Sequence, residues 1–146
     1  MFERLLVPVD GSKNSSRAIE VAIDLARRYQ ASVYVLHVIR DFALPKEIVD
    51  MIKAGEITES RREILEDSAD IILSNAVEKF DGAGLSNVTS EFVMGDPASR
   101  IAEYAEQRGV DLIIIGYQGL GPHGDLLGSV ARKLTNMAST SCLVAR

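Results

Sequence analysis

A glycine-rich loop follows the most apolar run of the chain, and its composition suits the binding of an anion. Leu112 to Ile115 are consecutive apolar residues, which is typical of a strand buried on both faces, and Gly116 ends the run. Five glycines lie within the thirteen positions from Gly116 to Gly128. Glycine lets backbone amides approach a ligand without obstruction by a Cβ atom and tolerates positive φ. The spacing therefore predicts a loop that brings backbone close to a bound group.

The helix expected after this loop offers the matching half of an anion site. Ser129 opens a helical pattern, and we expect its hydroxyl to cap the helix. The amides of Ser129, Val130 and Ala131 would then lack acceptors inside the helix, and such a helix N-terminus attracts phosphate. The alternative is a surface loop that is rich in glycine only because it is long.

Asp10 follows the first apolar run of the chain, at the start of the turn DGSKNS. An aspartate in a turn often bonds only nearby backbone amides, whereas one at the carboxyl end of a parallel strand can face a ligand, and the position alone leaves both readings open. The two histidines favour no metal site. We expect His37 to lie within a strand as a core or sheet residue with its hydrogen bonds satisfied. His123 lies in the glycine loop, where we expect it to be exposed to solvent.

Length and composition set the class of protein. The 146 residues, 47% hydrophobic and 25% charged, suit one globular domain over residues 1–146. A net charge of -5 argues against partners such as nucleic acid or a membrane surface. The N-terminus has no signal-peptide pattern, so we expect a cytoplasmic protein. The single cysteine, Cys142, excludes an internal disulfide and is expected to be a small buried apolar residue.

Strand and helix patterns alternate along the whole chain, which predicts a parallel α/β sheet covered on both faces. In such a sheet, ligands bind at the carboxyl ends of the strands near a topological switch point. The G-x-G-x-x-G match at 119–124 lies too late in the chain for a dinucleotide fingerprint. The expected strands are Phe2 to Val9, Ser32 to Val38, Asn87 to Val93 at a sheet edge, Leu112 to Gly116, and Ser141 to Ala145.

Apolar spacing and cap residues predict where the helices begin and which face each one buries. We expect Ser15 or Ser16 to cap the first helix, Asp96 with Pro97 to begin a later one, and Gly109 to cap its end. Residues 45–80 read as a short and a long helix separated near Gly55. The first helix should bury Ala18, Ala22, Leu25, Ala26 and Tyr29, and the long one should bury Ile64, Ile71, Ile72, Ala76 and Phe80.

Taken together, these residues resemble the universal stress protein family over essentially the whole chain. The resemblance rests on LLVPVDGS at the N-terminus, HV closing the second strand, GDPA after the third, and DLIIIG followed by the glycine loop and GS. It implies a single-domain open parallel sheet of five strands in the order 3-2-1-4-5, with helices on both faces, of the adenine nucleotide alpha hydrolase-like type. It also implies a homodimer, which we expect to form through the apolar terminal strand Ser141 to Ala145.

The nucleotide-binding branch of the family is similar to G-x2-G-x9-G-[ST], and the sequence keeps every glycine of that pattern. Gly116 and Gly119 supply its first half, and Gly128 and Ser129 its second, but only eight residues separate Gly119 from Gly128. A surface loop absorbs such a deletion at little entropic cost. The resemblance assigns the nucleotide to Pro8, Val9, Asp10, Val38, Ile115, Gly116, Gly119, Gly128, Ser129 and Val130.

Within that set, the resemblance implies a distinct role for each group. Asp10 would lie near the ribose and the phosphate-bound metal, and Val38 would present its backbone to adenine. Ile115 and Gly116 would form the floor of the site, while the loop glycines, Ser129 and Val130 would hold the phosphates. The implied cofactors are ATP and Mg²⁺.

The resemblance thus implies a regulatory stress-response protein that binds ATP with little or no turnover, and the sequence places no catalytic residue. No serine, cysteine or lysine stands with a partner that would activate it as a nucleophile. Two other functions stay open. One is a nucleotide-free, dimeric interaction protein with the same fold, and the other is an ATP-using enzyme of that fold.

Overall fold

Five parallel strands form one sheet in the order β3-β2-β1-β4-β5, which confirms the predicted topology. The computed structural model describes residues 1–40, 46–55, 60–118 and 127–146. The strands are β1 (Arg4–Pro8), β2 (Ser32–Ile39), β3 (Val88–Met94), β4 (Leu112–Gly116) and β5 (Ser141–Ala145). The helices are α1 (Lys13–Tyr29), α2 (Lys46–Lys53), α3 (Ser60–Gly82), α4 (Pro97–Gln107) and α5 (Ser129–Met137).

Each face of the sheet has its own apolar core. On one face, α1 and α3 pack over a cluster that includes Leu5, Val7 and Phe80, all fully buried. On the other, α4 and α5 pack over a cluster that includes Leu6 and Ile113. Alternate residues of β1 therefore serve opposite cores, as the two-residue repeat of a strand requires. None of the described helices combines the length and the apolar character needed to cross a membrane.

The central strands β1 and β4 separate before they end. Their pairing covers only Leu5 with Leu112 and Leu6 with Ile113, whereas β1 stays paired with β2 as far as Pro8 with Leu36. Strands on either side of a switch point carry their crossovers to opposite faces, so a crevice opens between their carboxyl ends. The widening after Leu6 marks where a ligand site can form.

The N-cap of helix α1 lies three residues before Ser15 and four before Ser16, the two caps that the sequence suggested. Ser12 is the N-cap, and its Oγ accepts a hydrogen bond from the Ser15 amide at 3.2 Å. Ser15 and Ser16 lie inside the helix, so the prediction that one of them caps it was wrong. Gly11 has φ of 84°, a conformation that glycine adopts without strain, and this turn lets the helix start directly after Asp10.

The predicted helix faces were correct in part. Ala18, Ala22 and Ala26 of α1 are buried as expected, but Leu25 is only half-buried and Tyr29 is 43% exposed, with its ring edge-on to Phe2. In α3 the buried residues are Ala69, Leu73, Ala76 and Phe80. Ile64 and Ile71 are 65% and 62% exposed, so their predicted burial was wrong. Apolar residues occur on several sides of α3, and contact with the sheet, rather than periodicity, decides its rotation.

Helix α4 begins as predicted, and a polar cluster joins it to the edge strand β3. Asp96 is its N-cap and Pro97 its first residue, while Arg108 takes the C-cap position and Gly109 follows it with φ of 61°. The Tyr104 hydroxyl donates to Glu91, and Arg108 Nη2 donates to the same carboxylate at 2.8 Å. Burial, followed by the Glu91 contact, raises the pKa of Tyr104, so the hydroxyl keeps its proton and remains a donor.

Gly116 is required by the packing of α1 against β4. A Cβ atom at this position would lie 2.5 Å from the backbone oxygen of Asn14 and 2.6 Å from its carbonyl carbon. Backbone atoms in the first turn of a helix cannot give way as the tip of a flexible side chain can. The sequence predicted that another group approaches the backbone closely at Gly116, and the start of α1 makes such an approach.

We expect Gly116→Ala to lower the free energy of unfolding by about 1–3 kcal/mol, because the added methyl group must displace the start of α1. Urea denaturation followed by circular dichroism measures the change. Gly82→Ala is the matched control, since no atom lies within 4 Å of a Cβ built there. Equal stability of Gly116→Ala and the wild type would contradict the tight contact.

Candidate functional site

A cavity of about 620 Å³ lies at the carboxyl ends of the central strands, where β1 and β4 have separated. Ligands of open parallel sheets bind in this crevice. Among the described residues, nine of the ten site residues predicted from the sequence line it, and Gly119 lies outside the described residues. The nine are Pro8, Val9, Asp10, Val38, Ile115, Gly116, Gly128, Ser129 and Val130.

A second cavity, of about 610 Å³, lies between α3 and the edge strand β3. Its lining includes Asp70, Ser74 and Glu78 on α3, and Ser90 and Phe92 on β3. It contains none of the predicted site residues and lies beside the sheet rather than at the ends of its strands. The cavity at the strand ends is therefore the better candidate for a small-molecule site.

Asp10 is held in place by the start of α1. Its Oδ1 accepts hydrogen bonds from the Ser12 amide at 2.9 Å and from the Ser15 hydroxyl at 2.7 Å. Ser15 Oγ in turn accepts from the Asp10 amide at 2.9 Å, and Ser15 is only 6% exposed. The turn interpretation of Asp10 is confirmed, because Oδ1 organises the turn. Asp10 also lines the cavity, and no donor among the described residues contacts its Oδ2, so its role toward a ligand stays a prediction.

The donor set around Asp10 fits a magnesium ion only if a phosphate completes the coordination. The described residues contain no group of three or more His, Cys, Asp or Glu side chains placed to hold a metal. Magnesium is commonly bound through one or two carboxylates together with substrate phosphates and water. Asp10 Oδ2 would supply the single protein oxygen in such an arrangement.

Helix α5 begins at the cavity with its first amides unpaired inside the helix. Gly128 is the N-cap, and the first helical bond runs from the Arg132 amide to the Gly128 carbonyl at 2.9 Å. The expectation that the Ser129 hydroxyl caps the helix was wrong, because Ser129 is the first helical residue and no side chain caps α5. The Gly128 amide donates to the Tyr117 carbonyl at 2.8 Å, and this bond fixes the backbone at the residue that precedes α5.

Several lining residues were not predicted from the sequence. His37 lines the cavity, and its Nδ1 lies 2.7 Å from the Val9 carbonyl oxygen, so the ring has a partner as expected. His123 lies outside the described residues. Leu65, Ser68 and Ile72 of α3 also line the cavity. Their spacing in the sequence does not single them out, and only the packing of α3 over the sheet brings them to the site.

Asp96 connects the two helices whose N-termini lie beside the cavity. It caps α4, and its Oδ2 also accepts a hydrogen bond from Lys133 of α5 at 2.9 Å. The hydrogen bond from Lys133, followed by those from Ser99, lowers the pKa of Asp96 to about 2. Both side chains are half-exposed, so solvent screens the pair, and its contribution to stability is modest.

The whole chain also matches known proteins. The family model described as the universal stress protein family matches residues 1–146. The chain belongs to the universal stress protein family. Universal stress protein YxiE of Bacillus subtilis is 33% identical over 150 residues, which covers 100% of both chains.

Solved structures of family members share this fold. Universal stress protein UspA from Lactobacillus plantarum is 27% identical with a TM-score of 0.81, over 99% of this chain and 98% of that chain. A universal stress protein in complex with cAMP is 23% identical with a TM-score of 0.72, over 99% and 97% of the two chains. The similarity to the second structure concerns the fold alone.

We expect the Asp96–Lys133 contact of this universal stress protein to make its stability depend on acid pH. The folded-state pKa of Asp96 is lowered, so the stabilisation is present above the unfolded-state pKa of about 4 and is lost as the pH falls toward the folded value. Asparagine keeps the helix cap but carries no charge. The difference in thermal midpoint between wild type and Asp96→Asn should therefore shrink between about pH 4 and pH 2.

The control is Asp70→Asn, at an exposed position of α3 that forms no ion pair with any described residue. Its thermal midpoint over the same range is the baseline against which the Asp96→Asn difference is compared. If the difference for Asp96→Asn changes no more with pH than the difference for Asp70→Asn, the Lys133 contact does not stabilise the folded protein.

Proposed function

We propose that this universal stress protein binds an adenine nucleotide, ATP with Mg²⁺, in the cavity at the strand ends. One observation carries the proposal: residues from four separate segments of the chain, which the family resemblance assigns to the nucleotide, line a single cavity where β1 and β4 diverge. A structural neighbour is in complex with cAMP, which is itself an adenine nucleotide. We propose a regulatory, cytoplasmic binding module as the biological role.

The chemistry of the lining supports a distinct place for each part of the nucleotide. The first amides of α5, at Ser129 and Val130, suit phosphate oxygens, because a helix N-terminus carries partial positive charge. Asp10 Oδ2 would take the ribose or the phosphate-bound Mg²⁺. Leu36, Val38 and Ile101 contribute apolar lining that suits a base.

Little or no turnover is part of this proposal. Phosphates held by backbone amides are positioned, but hydrolysis also requires a group that orients or deprotonates the attacking water. The Asp10 carboxylate is partly engaged by Ser12 and Ser15 through Oδ1. Multiple turnover at roughly one per second or faster would contradict this reading, and Asp10→Ala would be the first variant to test.

We expect Gly128→Val to abolish ATP binding, because a β-branched side chain would enter the space where phosphate meets the start of α5. Ser129→Ala should weaken binding by only about 1 kcal/mol, the contribution of one neutral hydrogen bond. Isothermal titration calorimetry on nucleotide-stripped protein with Mg-ATP measures both. If the wild type gives no heat, or if Gly128→Val binds as tightly as the wild type, the nucleotide-free interaction protein becomes the better proposal.

We also propose a homodimer formed through β5. This strand is a sheet edge in the described structure, and Cys142, Leu143 and Val144 are half-buried. The Tyr117 amide donates to the Ala145 carbonyl, so the backbone groups of Ala145 and Leu143 face β4, and those of Cys142 and Val144 face outward. Burial raises the pKa of the Cys142 thiol, which fits an apolar contact better than a reactive group.

Val144→Pro should convert this dimer to a monomer, because proline removes an outward amide from the edge without breaking a bond to β4. Light scattering coupled to size-exclusion chromatography measures the mass. Leu143→Pro is the contrasting variant, since it removes an amide that faces β4 and should destabilise the fold instead. A wild type that is monomeric at every concentration would overturn the proposed dimer.

A further inference from the structure

The ladder between β1 and β2 ends at Val9. The Val9 amide donates to the Leu36 carbonyl at 2.8 Å, so the backbone groups of Leu36 face β1. Backbone groups alternate in direction along a strand, and in a parallel pair the amide and carbonyl of one residue face the same neighbour. The amide and carbonyl of Val38, two residues after Leu36, therefore also face the side where β1 has ended.

A continued ladder would use the Val38 amide as the next donor to the Val9 carbonyl. That backbone bond is absent from the described structure. The Val9 carbonyl oxygen is instead hydrogen-bonded to the His37 ring, whose Nδ1 lies 2.7 Å away. A carbonyl oxygen only accepts, so Nδ1 carries the hydrogen. The side chain of His37 thus satisfies Val9 and leaves the backbone amide and carbonyl of Val38 open toward the cavity that all three residues line.

We propose that His37 is a positioning residue that makes the cavity selective for adenine, an inference that rests on the proposed nucleotide site. The exposed pair on Val38 consists of one donor and one acceptor. Adenine can place its N6 amino donor against the Val38 carbonyl and its N1 acceptor against the Val38 amide, whereas guanine in the same orientation places its O6 acceptor against the carbonyl and its N1–H donor against the amide. His37 touches neither base, and it acts by preventing the Val38 amide from bonding to Val9.

Loss of the imidazole would change the backbone and not only the side chain. A buried carbonyl left without a donor recruits the nearest available one, because an unsatisfied acceptor is costly. The Val38 amide is the next donor in register. In His37→Ala we therefore expect it to pair with Val9, which removes the donor to adenine N1.

The test compares His37→Ala with His37→Asn. Asparagine places an N–H near the position of imidazole Nδ1, so His37→Asn should retain the wild-type preference for ATP over GTP. His37→Ala should bind ATP about tenfold more weakly, and its preference for ATP over GTP should fall toward one. Its affinity for Mg-tripolyphosphate should not change, because that probe lacks the base. Calorimetry with the three ligands gives these ratios.

Amide hydrogen exchange in the nucleotide-free protein tests the geometry separately. In the wild type the Val38 amide should exchange fast relative to the β2 amides that bond within the sheet, and in His37→Ala it should slow by at least about tenfold. A protected Val38 amide in the wild type overturns the inference whatever the variants do. If this amide exchanges fast but the wild type binds no ATP, the proposed nucleotide function fails and the geometry stands.

If the wild type binds ATP and His37→Ala keeps the same affinity and the same ATP-to-GTP ratio, His37 has no positioning role and the nucleotide proposal is untouched. A uniform loss of affinity for all three ligands in His37→Ala, without rescue by His37→Asn, would mark a general structural defect and would equally overturn the inference.

Discussion

The close contact between the start of α1 and Gly116 is the constraint on which the site depends. It brings the first turn of the helix against β4, at the point where β4 and β1 have separated. The same turn carries Ser12 and Ser15, which hold the Asp10 carboxylate. A larger residue at 116 would therefore disturb the fold and the position of Asp10 together, which explains why a glycine stands at the end of the most deeply buried strand.

Much of the fold could be predicted because the strands are short apolar runs with clear ends. The long helix α3 shows the limit of such patterns. Its Ile64 and Ile71 repeat at a seven-residue interval and look like a buried stripe, yet both face solvent. Periodicity identifies a helix, but its rotation depends on which side meets the sheet, and that is a property of the tertiary contact.

The site was predictable to the extent that it lies at strand ends. Strand ends and glycines can be read locally, so the sequence alone singles out Asp10, Gly116 and Gly128, which line the cavity. The sequence does not show the contacts of Ser15 and His37, because each depends on a neighbour that only the fold supplies. Ser15 required the turn at Gly11, and His37 required the register between β1 and β2.

The two edges of the sheet differ in chemistry, and this difference limits how copies of the chain can associate. Thr89 and Ser90 of β3 are exposed polar residues, and Glu91 is engaged by Tyr104 and Arg108, whereas the middle of β5 is apolar. Pairing of β5 with the β5 of a second copy would use the same surface on both chains, so the contact would form a dimer and leave no β5 edge free. A head-to-tail contact of β5 with β3 would instead form a ring or an open filament. In the proposed β5-to-β5 dimer, the polar residues of the β3 edge would disfavour this second mode of pairing.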